Sequence, residues 1–590
     1  MAVSPTGRAT GNVPATTRIP KEDAKLAALF KNSDEAQLKL SPLTALGRGD
    51  LRYADQFGDN ISDRWYADME AQARRELRQL DGIHREKLSP KQKIAYDVFR
   101  YKTEDAVKFY ELGLAGIAQK MPIDHQSGAQ ITFPQTSSGE DVVPYKTVKD
   151  YDDGLKRIDG FVIYLGRAET QMRKGIGSGH VLIRVITEKI ILQLDDALKA
   201  GVDGSPFMKP VAAFPDGVAE PERIRLATAY RAKVGEKVLP AFAKLRRFMA
   251  EEYLPASRTG APGLAGMPDG ALQYAYALET HTTTRMSADD IHALGVSEVA
   301  RIEREMEEIK ARVGFRGTLR EFFAQLQNDP ALKFETRDAL LEGYRRIQRQ
   351  VEPILPRMFD RLPSSRLEVK AVPTEQEPFM GGAYYVIGTA DGERPGTFYV
   401  NTSDLPSRTR PRMTALFLHE GSPGHHLQGS TTLEDDELPA FLRYGWNAGY
   451  GEGWALYSEW LGYEMGLYDD PYQRFGRLDM EMLRAMRLVV DTGLHAKGWS
   501  REQAIQYMLD HSSFDRGTIE QEVDRYIAWP GQATAYKIGE LFIRRLRTKA
   551  ELALGDRFDL RAFHRQILDT GPIPLAVLER KIDDWIAQRQ

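Results

Sequence analysis

The sequence of 590 residues contains no cysteine. That excludes disulfides, thiolate zinc ligands and cysteine nucleophiles, and leaves His, Asp and Glu as the strong metal-ligand types. There is no run of about eighteen or more consecutive apolar residues, so nothing reads as a bilayer-spanning helix. The N-terminus also lacks the apolar core of a signal peptide. Neither charge dominates: 80 Lys and Arg face 84 Asp and Glu, for a net formal charge of -4. With no basic footprint and no acidic tail, nucleic acid is not an expected partner. The compartment stays open, because a cytoplasmic chain and an exported chain whose signal has been removed share this composition. Oligomeric state is equally open.

What is present is a long chain with a helical texture. Its length exceeds the size at which one hydrophobic core keeps growing, so two or more subdomains sharing a cleft are expected. The divisions read as a disordered leader at 1–20, an N-terminal helical subdomain at 21–260 and a catalytic helical subdomain at 261–590. Apolar residues three and four apart predict helices over 222–253, 287–312 and 336–350. Ser287-Ala288-Asp289-Asp290 resembles a capping box with Asp in place of the preferred Glu. Stretches rich in Gly, Ser and Pro at 122–145 and 255–270 predict loops. Convincing strand signals are confined to 367–400, at 367–372, 383–387 and 397–400. A small sheet should therefore immediately precede the metal motif at 419–459.

Histidine is scarce too, at eleven, yet three fall within His419-Glu420-Gly421-Ser422-Pro423-Gly424-His425-His426, after the apolar Met413, Ala415, Leu416, Phe417 and Leu418. In an H-E-x-x-H zinc helix the histidines stand one turn apart on one face and the glutamate acts as general base. Here Pro423 takes the second histidine's place. On an unbroken helix His425 would lie about 240° round from His419, and His426 would share its face but roughly 10 Å further along the axis. Neither can join His419 on one ion with zinc–nitrogen bonds of about 2.0 to 2.1 Å. Pro423 lacks an amide donor and clashes with the carbonyl of His419, while Gly424 permits backbone angles closed to other residues. The spacing predicts a helix that bulges over Ser422-Pro423-Gly424 and returns His425 or His426 to the ion. His425 is the preferred ligand, with His426 orienting it or contacting substrate. The bland alternative is a set of surface histidines beside a helix end.

A hydrolytic zinc site takes a third protein ligand and keeps a position for water. Glu452 is the candidate, at the start of a strongly apolar helical stretch, with Glu459 two turns on along the same face. A carboxylate on an apolar helical face is costly to bury unless paired or metal-bound. Downstream, His495 closes the helical pattern at 475–495, and Tyr536 follows the break at Pro530-Gly531. Both are side-chain types that steady a developing oxyanion. Arg394, in a Gly-Pro turn, is a candidate two-pronged grip for a substrate carboxylate. Tyr384 and Tyr385 lie in the strand that would align an extended peptide by main-chain pairing.

Together these motifs resemble the bacterial domain of unknown function 885 (DUF885) family. The resemblance rests on His-Glu-Gly-x-Pro-Gly-His-His at 419–426, Glu-Gly-Trp-Ala-Leu-Tyr at 452–457, Asp-Thr-Gly-Leu-His at 491–495 and Trp-Pro-Gly-Gln-Ala at 529–533. Upstream, His281-Thr-Thr-Thr, Ile291-His-Ala-Leu-Gly and Gly381-Gly-Ala-Tyr-Tyr385 fit the same pattern, so the likeness spans nearly the whole chain after the leader. It implies a mainly α, multi-helical, zincin-like metallopeptidase similar to carboxypeptidase Taq and the thimet oligopeptidases, with a small β-sheet beside the metal helix and a cleft between helical halves. It further implies one Zn2+ held by His419, one of His425 and His426, and Glu452, with Glu420 as base, and it suggests an exported or periplasmic setting. The expected function is zinc-dependent hydrolysis of peptide bonds in short peptides. The alternatives are a metal-dependent amidohydrolase acting on a non-peptide amide, a non-haem iron enzyme using the same donor set, and a non-catalytic peptide-binding protein.

Overall fold

A computed structural model of the chain describes residues 20–139, 143–374, 377 and 381–590. All of the expected leader except Pro20 lies outside the described residues.

The fold is mainly α, and its helices start where local chemistry places them. Ser287 accepts from the Asp290 amide at 3.1 Å, and Asp290 accepts from the Ser287 amide at 3.3 Å, opening the helix Ala288–Arg312. Asp thus closes the reciprocal box as Glu would. Thr336 caps Arg337–Val351 in the same position. The 222–253 pattern is not one α-helix. Glu220–Lys233 and Leu239–Phe248 are separated by a π turn at Val234–Val238, and a second π turn follows at Met249–Tyr253. Each π turn runs into a Leu-Pro pair, Leu239-Pro240 and Leu254-Pro255. There the leucine amide reaches back to the carbonyl of Val234 or Met249. A proline that donates no amide interrupts the α ladder at each place, and the wider turn accommodates the interruption. The expected loop at 122–145 contains a short helix, Ala129–Thr136, and its residues 140–142 lie outside the described set. The stretch 255–270 begins inside the short helix Leu254–Ala256, holds the turn Leu264–Gly266 and ends where the helix Gly270–Thr282 starts.

The three expected strands form β1 (Leu367–Ala371), β2 (Ala383–Val386) and β3 (Gly396–Val400). Their order is β1-β3-β2, with β3 parallel to β1 and antiparallel to β2, which leaves β2 at an edge. Phe398 of β3 packs against Phe417 of the helix Arg410–Glu420, with ring centroids 6.2 Å apart, and so docks the sheet on the metal motif.

Two large apolar cores flank that motif, and each draws on residues from both sides of position 260. One is built around the helix Pro471–His495, in which every residue from Phe475 onward is buried. The other gathers Ala448–Leu461, Ala535–Leu554 and Leu575–Ala587. The helix Arg410–Glu420 runs between them, giving Ala415 to the first and Met413, Phe417 and Leu418 to the second. Its C-terminal His419-Glu420 therefore emerges at the seam. Ala448–Leu461 and Ala535–Leu554 approach backbone to backbone through glycines: a Cβ on Gly453 would lie 2.6 Å from Gly539 Cα. Only glycine tolerates this, and the contact brings Glu452 and Tyr536 to the same cavity.

Candidate metal centre

The helix Arg410–Glu420 stops at Glu420, and a second helix, His425–Leu433, starts at His425. The expected single bulged helix is thus two helices joined by the non-helical link 421–424. The Ser422–Pro423 peptide is cis. Gly424 lies so close to the preceding helix end that a Cβ there would stand 1.9 Å from the His419 carbonyl oxygen. Trp454 donates its indole N–H to the Pro423 carbonyl at 2.8 Å, pinning the link to the helix that carries Glu452. The doubling-back sets the rings of His419 and His425 4.9 Å apart and nearly perpendicular, at 86°.

Glu452 faces both rings. Its Oε2 lies 3.5 Å from His419 Nε2 and 3.4 Å from His425 Nε2. One ligand atom from each residue falls within 4.8 Å of the others, the one such grouping among the described residues. Tetrahedral zinc with bonds of about 2.0 to 2.2 Å separates its donors by roughly 3.3 Å, so this spacing fits an ion of that size. Glu452 Oε2 is buried and has no hydrogen-bond partner.

Behind the trio, His419 Nδ1 donates to Glu459 Oε1 at 2.9 Å, and Arg484 holds the same oxygen at 3.2 Å. This fixes the tautomer with Nε2 turned toward Glu452. Burial pulls His419 toward the neutral imidazole, but Glu452 and Glu459 prevail and push its pKa up to about 9 in the metal-free protein. Burial would also lift Glu452, yet the flanking rings of His419 and His425 hold it well below the usual carboxylate range. Glu420, in the cavity wall, is raised by burial against the pull of both histidines.

The centre opens on a cavity of about 740 Å³ that reaches from the sheet to Tyr536. Tyr536 stacks beside His419, with centroids 6.2 Å apart. Its hydroxyl accepts from Arg525 at 3.0 Å, and the Arg487 guanidinium lies over its ring at 4.4 Å. Tyr384 and Tyr385 line the cavity, Tyr384 with its ring stacked on Tyr399.

Three expected site residues are placed elsewhere. His426 Nδ1 faces the Tyr385 hydroxyl at 3.0 Å and Ser430 at 3.4 Å, and burial pulls its pKa down to about 4. It ties β2 to the second helix and is outside the cavity lining. His495 is outside the cavity lining. Its Nδ1 accepts from the Leu264 amide and its Nε2 donates to the Tyr526 carbonyl, both at 3.0 Å, while burial lowers its pKa to about 4. It anchors the 255–270 loop as a neutral ring. Arg394 also lies outside the lining, in a tight turn whose main chain bonds to Thr389. Glu459, Arg484, Arg487 and Arg525 join the site without a role expected from their local sequence. For the first, the signal was its position one heptad after Glu452 on an apolar helix.

The sequence matches the description "bacterial protein of unknown function (DUF885)" over residues 42–582. The chain belongs to the DUF885 family. Among solved structures, a candidate lipoprotein from Colwellia psychrerythraea is similar at 29% identity with a TM-score of 0.89, covering 97% of this chain and 100% of that one. A candidate lipoprotein of unknown function from Shewanella oneidensis shares the fold at 18% identity and a TM-score of 0.68, covering 94% of this chain and 99% of that one. No curated protein matches the chain. Among the described residues no helix is long and apolar enough to cross a membrane.

Proposed function

We propose that this DUF885 protein is a zinc-dependent hydrolase of peptide bonds in short peptides, a zincin-like metallopeptidase. The observation that carries the reading is Glu452 Oε2, a buried carboxylate oxygen without a hydrogen-bond partner, flanked by ring nitrogens of His419 and His425. Such a group is costly to bury unless a cation meets it, and two imidazoles with one carboxylate are a catalytic zinc donor set. When bound, zinc supplies Lewis acidity, lowering the pKa of a coordinated water toward about 7 and polarising a carbonyl.

The chain's own residues supply the rest. Glu420 takes the water's proton and delivers it to the leaving amine. Burial raises its pKa above the ordinary carboxylate value, which favours proton uptake by this carboxylate. Tyr536, whose hydroxyl oxygen is held by Arg525, keeps its own O–H to donate to the developing oxyanion. Glu459 keeps the Nδ1 proton of His419 in place. The edge strand β2 aligns an extended peptide by main-chain pairing. The likeness to the Colwellia candidate lipoprotein supports an exported setting.

The test is mass spectrometry of products from a diverse peptide pool, with and without chelator, alongside metal analysis of protein purified without added metal. Chelator-sensitive cleavage by a zinc protein is expected, with Glu420→Gln retaining zinc and losing turnover. Full hydrolysis by a zinc-loaded Glu420→Gln protein would remove the general base from the account, and iron in place of zinc would move the chemistry to the oxygen-activating class.

A further inference from the structure

Six arginines line the cavity: Arg408, Arg412, Arg443, Arg484, Arg487 and Arg525. Four of them are held by neighbouring side chains. Arg412 pairs with Asp479 at 2.7 Å, Arg484 with Glu459 at 3.2 Å and Arg487 with Glu522 at 2.8 Å, while Arg525 donates to Tyr536 and Gln532. Arg443 places its Nε on the Leu433 carbonyl and its guanidinium beside Tyr444. Arg408 places its Nε on the Asn401 carbonyl at 3.1 Å and has no carboxylate at ion-pair distance among the described residues. It is half-buried in the wall, where desolvation disfavours its charge. Neither of its terminal nitrogens has a hydrogen-bond partner among the described residues, and a guanidinium so placed in a concave site matches a carboxylate.

Its position names the carboxylate. Arg408 abuts the start of the edge strand, since a Cβ on Gly382 would lie 2.9 Å from Arg408 Nη1. The Gly382 carbonyl accepts from the Asn401 amide at 3.0 Å. In an antiparallel pair such bonding alternates, so with the observed register Ala383 and Tyr385 direct their amides and carbonyls to the edge away from β3. A peptide added there antiparallel, the commoner and slightly more stable pairing, runs with its C-terminus toward Gly382. Three residues along β2, a span of about 10 Å, Tyr385 touches His426, the neighbour of the ligand candidate His425.

Resting on the peptide-hydrolase reading, we propose that Arg408 receives the substrate's C-terminal carboxylate, so that the enzyme cuts peptides within a few residues of a free C-terminus. Arg394, the sequence's candidate for this grip, stands outside the cavity lining and serves as the control.

The test uses a defined pentapeptide series, each member as free acid and as C-terminal amide, against the zinc-loaded full chain. Cleavage is read by mass spectrometry, and binding is read separately by calorimetry on the Glu420→Gln protein. The free acid should be favoured roughly 10- to 100-fold over the amide, the range of a charge-assisted contact to one ionised group. Arg408→Gln should collapse that ratio toward unity, Arg408→Lys should restore part of it, and Arg394→Gln should leave it intact. Turnover with equal rates for acid and amide, or an acid preference that survives Arg408→Gln, overturns the Arg408 assignment while the hydrolase reading stands. Acid-selective binding that Arg408→Gln abolishes, without turnover of any peptide, supports the assignment and overturns the hydrolase reading. Absence of both turnover and acid-selective binding overturns both.

Discussion

Replacing Glu459 with glutamine should weaken zinc binding without touching a metal ligand. Glu459 is fully buried, with Oε1 at 2.9 Å from His419 Nδ1 and 3.2 Å from Arg484. Glutamine keeps the shape and can still accept the Nδ1 proton, but it removes the negative charge that makes His419 a stronger donor to an ion. A charge-assisted hydrogen bond is about twice as strong as a neutral one, and loss of such a partner behind a zinc ligand typically costs 10- to 100-fold in affinity. That range is about 1.4 to 2.8 kcal/mol. The upper half is expected, because the substitution also leaves the buried Arg484 facing a neutral amide. Zinc affinity by competition with a chromogenic chelator is the assay, with circular dichroism to verify that the variant is folded. In parallel, NMR titration of metal-free protein should show the His419 pKa falling below the value of about 9 that Glu452 and Glu459 sustain against burial. A folded Glu459→Gln protein with zinc affinity within about twofold of the native value would refute the reasoning, since Glu459 would then not tune His419.

Other consequences follow from the same geometry. Because the proton on His419 must leave before the ring can bind a metal, and its folded pKa is raised to about 9, apparent zinc affinity should rise about tenfold per pH unit from pH 7 toward 9 and then flatten. Proton release on zinc addition, measured by calorimetry in buffers of different ionisation enthalpy, checks the sign, and a flat profile over that window contradicts it. Gly424→Ala places a Cβ 1.9 Å from the His419 carbonyl oxygen, so the link must shift, and zinc affinity should drop more than about tenfold by the same competition assay. His495→Ala strands the Leu264 amide and the Tyr526 carbonyl, at a cost of about 2 to 5 kcal/mol in denaturant unfolding. Its turnover at a temperature where it stays folded should be native-like, and a collapse of kcat would return His495 to the chemistry.

The local features of the chain were legible in the sequence wherever one short-range interaction decides them. The Ser287 box, the helix expected over 336–350 and the three strand segments all appear where the pattern puts them. Pro423-Gly424 announced a break between the histidines, but not that the chain would end one helix and begin another. That outcome involves Trp454, thirty-one residues on, bonding the Pro423 carbonyl. Choosing between His425 and His426 needed the sheet, because Tyr385 and Ser430 occupy the side that His426 faces. His495 and Arg394 misled because their types suit a site while their partners, the Leu264 and Tyr526 backbone and the Thr389 turn, are fixed by tertiary packing. The arginines of the cavity wall carry no local signal, since a long helix accepts Arg484 and Arg487 whether they face solvent or, as here, the interior.

The most direct test of the metal centre is zinc stoichiometry, by elemental mass spectrometry on gel-filtered protein, for the native chain beside His425→Ala and His426→Ala. One zinc per native chain, retained by His426→Ala and lost by His425→Ala, is the result the geometry predicts. Zinc retained by His425→Ala and lost by a folded His426→Ala, or a native chain that binds none when zinc is offered, would contradict a centre made of His419, His425 and Glu452.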